Sequence, residues 1–115
     1  MSKYKENIKK MMEETGLSKE DAGFLIKNFL DIFKDNIAMI EKALMEKNIA
    51  LLKSESHRLK GASANLRLSE TSMLAALLEE TADKSEPEDL VNIAKLLKNQ
   101  YEAINDEIKG NDHGR

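Results

Sequence analysis

Apolar residues recur along this chain at alternating steps of three and four, the spacing of one face of an α-helix. Tyr4, Ile8, Met11 and Met12 share such a face from about Lys3 to Thr15, and Gly16 is placed to end it. Ser18-Lys19-Glu20-Asp21 is a capping-box variant that starts a second helix. Its stripe is Ala22, Ile26, Phe29, Phe33, Ile37, Ile40 and Leu44. Asp35-Asn36 could bend this helix, but nothing there forces a break. Lys47-Asn48 reads as a short turn with Asn48 as N-cap. The third helix then carries Ile49, Leu52, Ser56, Leu59, Ser63 and Leu66 inward, two of them serines.

Ser69 is expected to cap a fourth helix with Met73, Leu74, Leu77, Leu78 and Ala82 inward. Ser85-Glu86-Pro87-Glu88 marks a fifth start, with a first-turn proline and an acid three residues after the serine. Leu90, Ala94, Leu97, Tyr101, Ile104 and Ile108 form its face. No stretch alternates with the period of a strand. Short connections make sequential helices antiparallel. The expected fold is therefore all-α: an antiparallel up-down four-helix bundle over residues 18–109, with an additional short N-terminal helix over 1–17 packed on it. Residues 110–115 are expected to be a disordered tail.

Composition narrows the chemistry. The 115 residues suit one domain with one core. Hydrophobic residues make up 41% and charged residues 34%, which fits neither a disordered chain nor a membrane protein. The longest apolar run, Met73 to Leu78, is far shorter than the ~20 residues of a membrane span. The start, MSKYKENIKK, has no apolar segment that would mark export. There is no cysteine, hence no disulfide, no thiolate nucleophile and no Cys-based zinc site. The reading is a soluble, cytoplasmic chain. Its initial Met and polar end suggest a stand-alone protein, although a domain excised from a hybrid kinase would look the same.

The net charge of −3 argues against general nucleic-acid binding. The charge is uneven, however. Lys53, Arg58, Lys60 and Arg67 face one acid, Glu55, between positions 53 and 67. A small cationic patch on an acidic protein suits a specific anion or an acidic partner, and is also what a solvated helix face can show by chance.

Two histidines are present. His113 lies next to the end beside Gly114 and Arg115 and is read as inert. His57 lies one position off the core stripe of the third helix, so its ring belongs at the surface or boundary, outside the core. Lys53, Ser54, Lys60 and Gly61 are its neighbours at three and four residues. Helical side chains lean toward the N-terminus, so a side chain at position 61 would lie over His57. Glycine there uncovers the imidazole, at a cost of about 1 kcal/mol relative to alanine. Ala64 keeps the same face low, and Lys60 puts a cation one turn away. A neutral imidazole nitrogen is nucleophilic near neutral pH. A phosphoryl group on it would carry charge that the ammonium offsets. These features suit reversible phosphorylation of histidine, and equally an ordinary surface histidine beside a tolerated glycine.

Other constellations fail. No Gly-rich phosphate loop is present, so ATP-dependent autokinase activity is not expected. Two histidines, one near the chain end, make no histidine-based metal site. Glu13-Glu14 and Glu79-Glu80 read as solvated faces.

The run His57-Arg58-Leu59-Lys60-Gly61-Ala62-Ser63-Ala64-Asn65-Leu66 resembles the signature of histidine-containing phosphotransfer (HPt) domains: His, then Leu, Lys, Gly, a small residue and Ser. A looser likeness extends from about Ser18 to Ile108. The resemblance implies a phosphorelay intermediate that takes a phosphoryl group from a receiver-domain aspartate of a response regulator and passes it to another. His57 would be the phosphoacceptor at Nε2, Lys60 would steady the phosphoryl group and Gly61 would give clearance. Relatives often carry Gln or Glu 22 residues after the His, bonded to the other ring nitrogen, and here that position is Glu79. The resemblance implies no cofactor on this chain, with magnesium expected on the partner receiver. It implies receiver domains, or a hybrid histidine kinase, as partners of a monomer, with no nucleic acid and no membrane.

One position departs from the pattern. Relatives commonly place glycine ten residues after the His, and this chain has Arg67. The following turn is therefore expected to differ, or the third helix to run on. The competing reading is a helical-bundle adaptor that binds a receiver or kinase without carrying phosphate. The intact His-Leu-Lys-Gly set weighs against it.

Overall fold

The computed structural model describes residues 3–112, with side chains from Tyr4 to Ile108. Over these residues the chain is entirely helical. The elements are α1 (Lys3–Thr15), α2 (Lys19–Glu46), α3 (Ile49–Asn65), α4 (Ser69–Thr81) and α5 (Pro87–Asp112). α3 packs on α2 and most closely on α4; α5 closes the ring against α2 and α4, and α1 lies on α2 and α5. None of these helices is long and apolar enough to cross a membrane.

The α2 stripe is buried as the periodicity predicts at Ala22, Phe29, Phe33, Ile37 and Ile40, while Ile26 and Leu44 pack at its margin. Phe33 is the centre of the aromatic core, 5.4 Å from the rings of both Phe29 and Tyr101. α2 runs unbroken through Asn36. Asn36 is buried, and its Nδ2 donates to Glu55 Oε1 of α3 at 2.8 Å. Arg58 reaches the other oxygen of Glu55 at 3.3 Å. This group fixes α3 against α2.

On α3, Leu52, Ser56, Leu59, Ser63 and Leu66 are all buried. The two serines need no partner from another helix. Ser56 Oγ donates to the Leu52 carbonyl at 2.7 Å and Ser63 Oγ to the Leu59 carbonyl at 2.6 Å. Small and internally satisfied, they let α3 approach its neighbours closely. Ile49 is exposed rather than inward, because it opens the helix at the end of the bundle.

Helix α4 departs most from the sequence reading. Its core line is Thr71, Ala75 and Leu78, continued by Ala82. Met73 is 71% exposed and Leu77 is exposed as well. The run from Met73 to Leu78 is apolar on every side, so it carries no phase of its own. The close approach of α3 selects the small residues, and Ser72 Oγ donates to the Lys60 carbonyl at 3.1 Å. Ser69 is not the cap either. Leu68 holds that position without a side-chain hydrogen bond. The connection is so short that Leu68 both closes α3 and opens α4. Its N–H bonds the Ser63 carbonyl at 2.9 Å and its carbonyl accepts from Ser72 at 3.0 Å, while its side chain is buried.

The remaining ends follow their signals. Ser18 Oγ accepts from the Asp21 N–H at 3.1 Å, and Asn48 Oδ1 from the Leu51 N–H at 3.0 Å. Gly16 ends α1 at φ 77°, and Pro87 opens α5. α5 continues through Gly110 to Asp112, past the point where a frayed tail was expected. His113 lies outside the described residues.

α3 does not run on. Arg67 takes the left-handed conformation (φ 61°) usually given to glycine, and its N–H bonds the Ala64 carbonyl at 3.0 Å. Its side chain explains why arginine is tolerated. Nε donates to Glu14 Oε1 of α1 at 2.8 Å, and NH1 to the Asn65 carbonyl at 3.1 Å. Lys47 ends α2 in the same conformation (φ 57°). Left-handed geometry costs a side-chain-bearing residue about 1–2 kcal/mol, partly offset by the unfolded-state freedom that glycine adds. Lys47→Gly should therefore stabilise the protein by about 0.5–1 kcal/mol in denaturant unfolding. Arg67→Gly should stabilise it less, because it forfeits the bonds to Glu14 and Asn65. Equal gains at both positions would show that the Arg67 side chain contributes nothing.

Candidate functional site

The close packing of α3 on α4 builds the site. The two helices pair in opposite senses: Lys53 bonds Asp83, His57 bonds Glu79, and Ser72 bonds back to Lys60. His57 lies outside the core stripe, and its side chain is 65% exposed. Glu79 stands opposite. Its Oε2 lies 3.0 Å from His57 Nδ1, and its Oε1 lies 3.0 Å from Lys60 Nζ. Three of the four residues singled out from the sequence thus meet through one carboxylate. Glu79 is not the solvated charge that its acidic neighbour suggests; its side chain is only 29% exposed.

The carboxyl of Glu79 is held below the usual carboxylate range. The hydrogen bond from Lys60 is the largest cause, opposed by partial burial and aided by the Lys60 charge and by His57. Glu79 is therefore ionised at neutral pH and can only accept hydrogen bonds. It follows that Nδ1 of His57 carries the hydrogen that points at it. In the neutral ring this leaves the lone pair on Nε2, the nitrogen that Glu79 does not touch. The carboxylate thus selects the tautomer with hydrogen on Nδ1.

The fourth residue, Gly61, touches none of these side chains. A Cβ placed on it would meet nothing within 4 Å. Its lack of a side chain therefore answers to no packing demand inside the protein; it leaves open the surface beside His57, together with exposed Ala64.

Each cation of the 53–67 stretch has a carboxylate partner: Lys53 with Asp83 at 3.0 Å, Arg58 with Glu55, Lys60 with Glu79 and Arg67 with Glu14. The sequence reading missed these pairings and the Asn36–Glu55 contact. Glu55 and Asn36 are polar residues at buried positions of otherwise amphipathic helices, and that break in pattern was the available signal. Among the described residues no group of three or more His, Cys, Asp or Glu is arranged to hold a metal ion.

A model of the Hpt domain family matches residues 25–107, which include every residue of this site. The chain belongs to the Hpt domain family. Domains of this family carry out histidine phosphotransfer in two-component phosphorelays, where they interact with receiver domains and kinases. The chain matches no curated protein and no solved structure.

Two outcomes follow from the geometry. Lys60→Ala should raise the titration midpoint of the Glu79 carboxyl toward the ordinary value, read by 13C NMR. Because the native carboxyl is depressed, any stability it contributes is present above the ordinary carboxylate range. That contribution is lost as pH falls through the lowered value. Gly61→Ala meets no neighbour and should stabilise the fold by up to about 1 kcal/mol through helix propensity. A loss of stability would mean that Gly61 serves packing.

Proposed function

We propose that this protein is a phosphorelay intermediate that reversibly carries a phosphoryl group on His57 Nε2 between receiver-domain aspartates of response regulators. The observation that carries the reading is the Glu79 contact, which engages Nδ1 of an exposed imidazole and leaves Nε2 to react. In loading, the Nε2 lone pair attacks the phosphorus of an aspartyl phosphate. The N–P bond forms, the P–O bond to the aspartate breaks, and the aspartate leaves as a carboxylate. The ring becomes cationic and shares its Nδ1 hydrogen with Glu79. Discharge to a second receiver reverses each of these changes. Glu79 thus favours loading by stabilising a charged ring, and the same positive charge keeps the phosphoryl group easy to remove.

Lys60 supplies a positive charge within reach of the phosphoryl oxygens. Gly61 and Ala64 leave room for a receiver to bring its aspartate into line. The groove beside this face, where Leu25 and Ile32 of α2 meet Ala62 of α3, offers a receiver apolar surface to bury. Magnesium, in this reading, resides on the receiver. The helical ring is read as an up-down four-helix bundle of residues 18–109, with α1 as an addition to it. The protein works as a cytoplasmic monomer, and a hybrid kinase is a further candidate partner.

The test is incubation with an aspartate-phosphorylated receiver and detection of acid-labile, base-stable label. His57→Gln should abolish the label with helix content intact, and His113→Gln should leave it unchanged. Label persisting on the His57 variant would refute the assignment. Gly61→Ala, Gly61→Val and Gly61→Gln should lose transfer progressively while melting no lower than the native protein. Full transfer by the glutamine variant would refute the clearance role.

A further inference from the structure

The site holds two donors on one carboxylate, and only one of them is tied to the ring. A bond at Nε2 leaves His57 Nδ1 free to keep its contact with Glu79, because the two ring nitrogens are not adjacent and point in different directions. Lys60 is not so constrained. Its side chain is 37% exposed, and the ammonium at the end of its four-carbon stem rests on Glu79 Oε1 at 3.0 Å. Lys53 and Arg58 are engaged with Asp83 and Glu55, carboxylates that do not touch His57. Lys60 is thus the cation of this stretch whose partner also bonds the imidazole.

A phosphoryl group on Nε2 brings about −1.5 to −2 charges and three strong acceptor oxygens. Loading also makes the ring cationic, so the Glu79 charge gains a full counter-ion at Nδ1. Both changes weaken the claim of Glu79 on the ammonium. We propose that Lys60 changes partner on phosphorylation, leaving Glu79 for the phosphoryl oxygens, so that Glu79 sets how much of the Lys60 charge the phosphoryl group receives. This rests on the reading of His57 as acceptor.

The exchange has a specific energetic signature. In the native protein Lys60 gains the phosphoryl group but loses Glu79, and both are charge-assisted bonds of similar strength. Its net contribution to the loaded state is therefore small. Without the carboxylate, Lys60 starts from water and contributes nearly the whole of its attraction to the phosphoryl group. Glu79→Gln creates that condition, since the amide oxygen still accepts from Nδ1 while the negative charge is gone.

The experiment is a double-mutant cycle on the full chain. The protein is held in a fixed mixture of phosphoramidate and ammonium, and 31P NMR gives the occupancy of His57. In this loading Nε2 forms the N–P bond, the P–N bond of phosphoramidate breaks, and ammonia leaves. Lys60→Ala should lower the occupancy ratio by about twofold or less in the native background and by about fivefold or more in the Glu79→Gln background. Lys60→Met, which keeps the stem, should give the same pair of results. Equal effects in both backgrounds would overturn the exchange. A larger effect in the native background would also overturn it, because it would mean that the ammonium bridges both anions at once. Failure of His57 to take label in any variant would instead refute the acceptor reading on which the exchange rests, a result distinct from either of these.

Discussion

A carboxylate on one helix can hold two side chains of another only where the helices run close together. In this protein the distance between α3 and α4 is the constraint on which the site depends. It is set by small residues. Ser56 and Ser63 occupy core positions where leucines would push the neighbouring helices apart, and each returns its hydroxyl to its own helix. Ala75 lies in the core line of α4, and Ser72 bonds the backbone of α3 directly. Leu68 ties the helices at their shared end by belonging to both. Given that spacing, Glu79 reaches His57 and Lys60 with the two oxygens of a single group.

α3 is also held from its other flank. Glu55 faces α2, where Asn36 bonds it at 2.8 Å, and Arg58 covers its second oxygen from the solvent side. α3 is thus tied to α2 through Glu55 and to α4 through Glu79, while the imidazole stays exposed to solvent. Buried polar pairs of this kind add little to stability on balance, but they penalise a slipped register by leaving a polar group without its partner. A shift of α3 by one turn would separate Asn36 from Glu55 and carry His57 away from Glu79. The buried pair and the exposed site therefore demand the same register.

Much of this was legible in the sequence, because it rests on periodicity and on local turn chemistry. The five helices, the α2 and α3 core faces, and the caps at Ser18 and Asn48 needed only spacing and residue type. So did the placement of His57 at the surface. What escaped was what depends on a second helix. Met73 and Leu77 read as core because a uniformly apolar run has no preferred face until a neighbour chooses one, and both are exposed. Ser69 reads as a cap because its type suits the role, but burial of Leu68 outweighs a side-chain hydrogen bond. Arg67 looked out of place because its partner, Glu14, is 53 residues away in the chain. The role of Glu79 came from resemblance alone. Its contact with Lys60, which the resemblance did not include, required coordinates.

Lys60 and Glu79 balance one another at the face of His57: an ammonium and a carboxylate 3.0 Å apart. On the proposed reading, transfer adds a PO3 unit with one negative charge to a patch that was balanced before it arrived. A partner arriving at this face thus meets different fields on the empty and the loaded carrier. A receiver whose own site is lined with acids would approach the empty carrier without penalty and leave the loaded one more readily. On that reading, the balanced Lys60–Glu79 pair would give the relay a means of distinguishing carriers that await a phosphoryl group from those that already hold one.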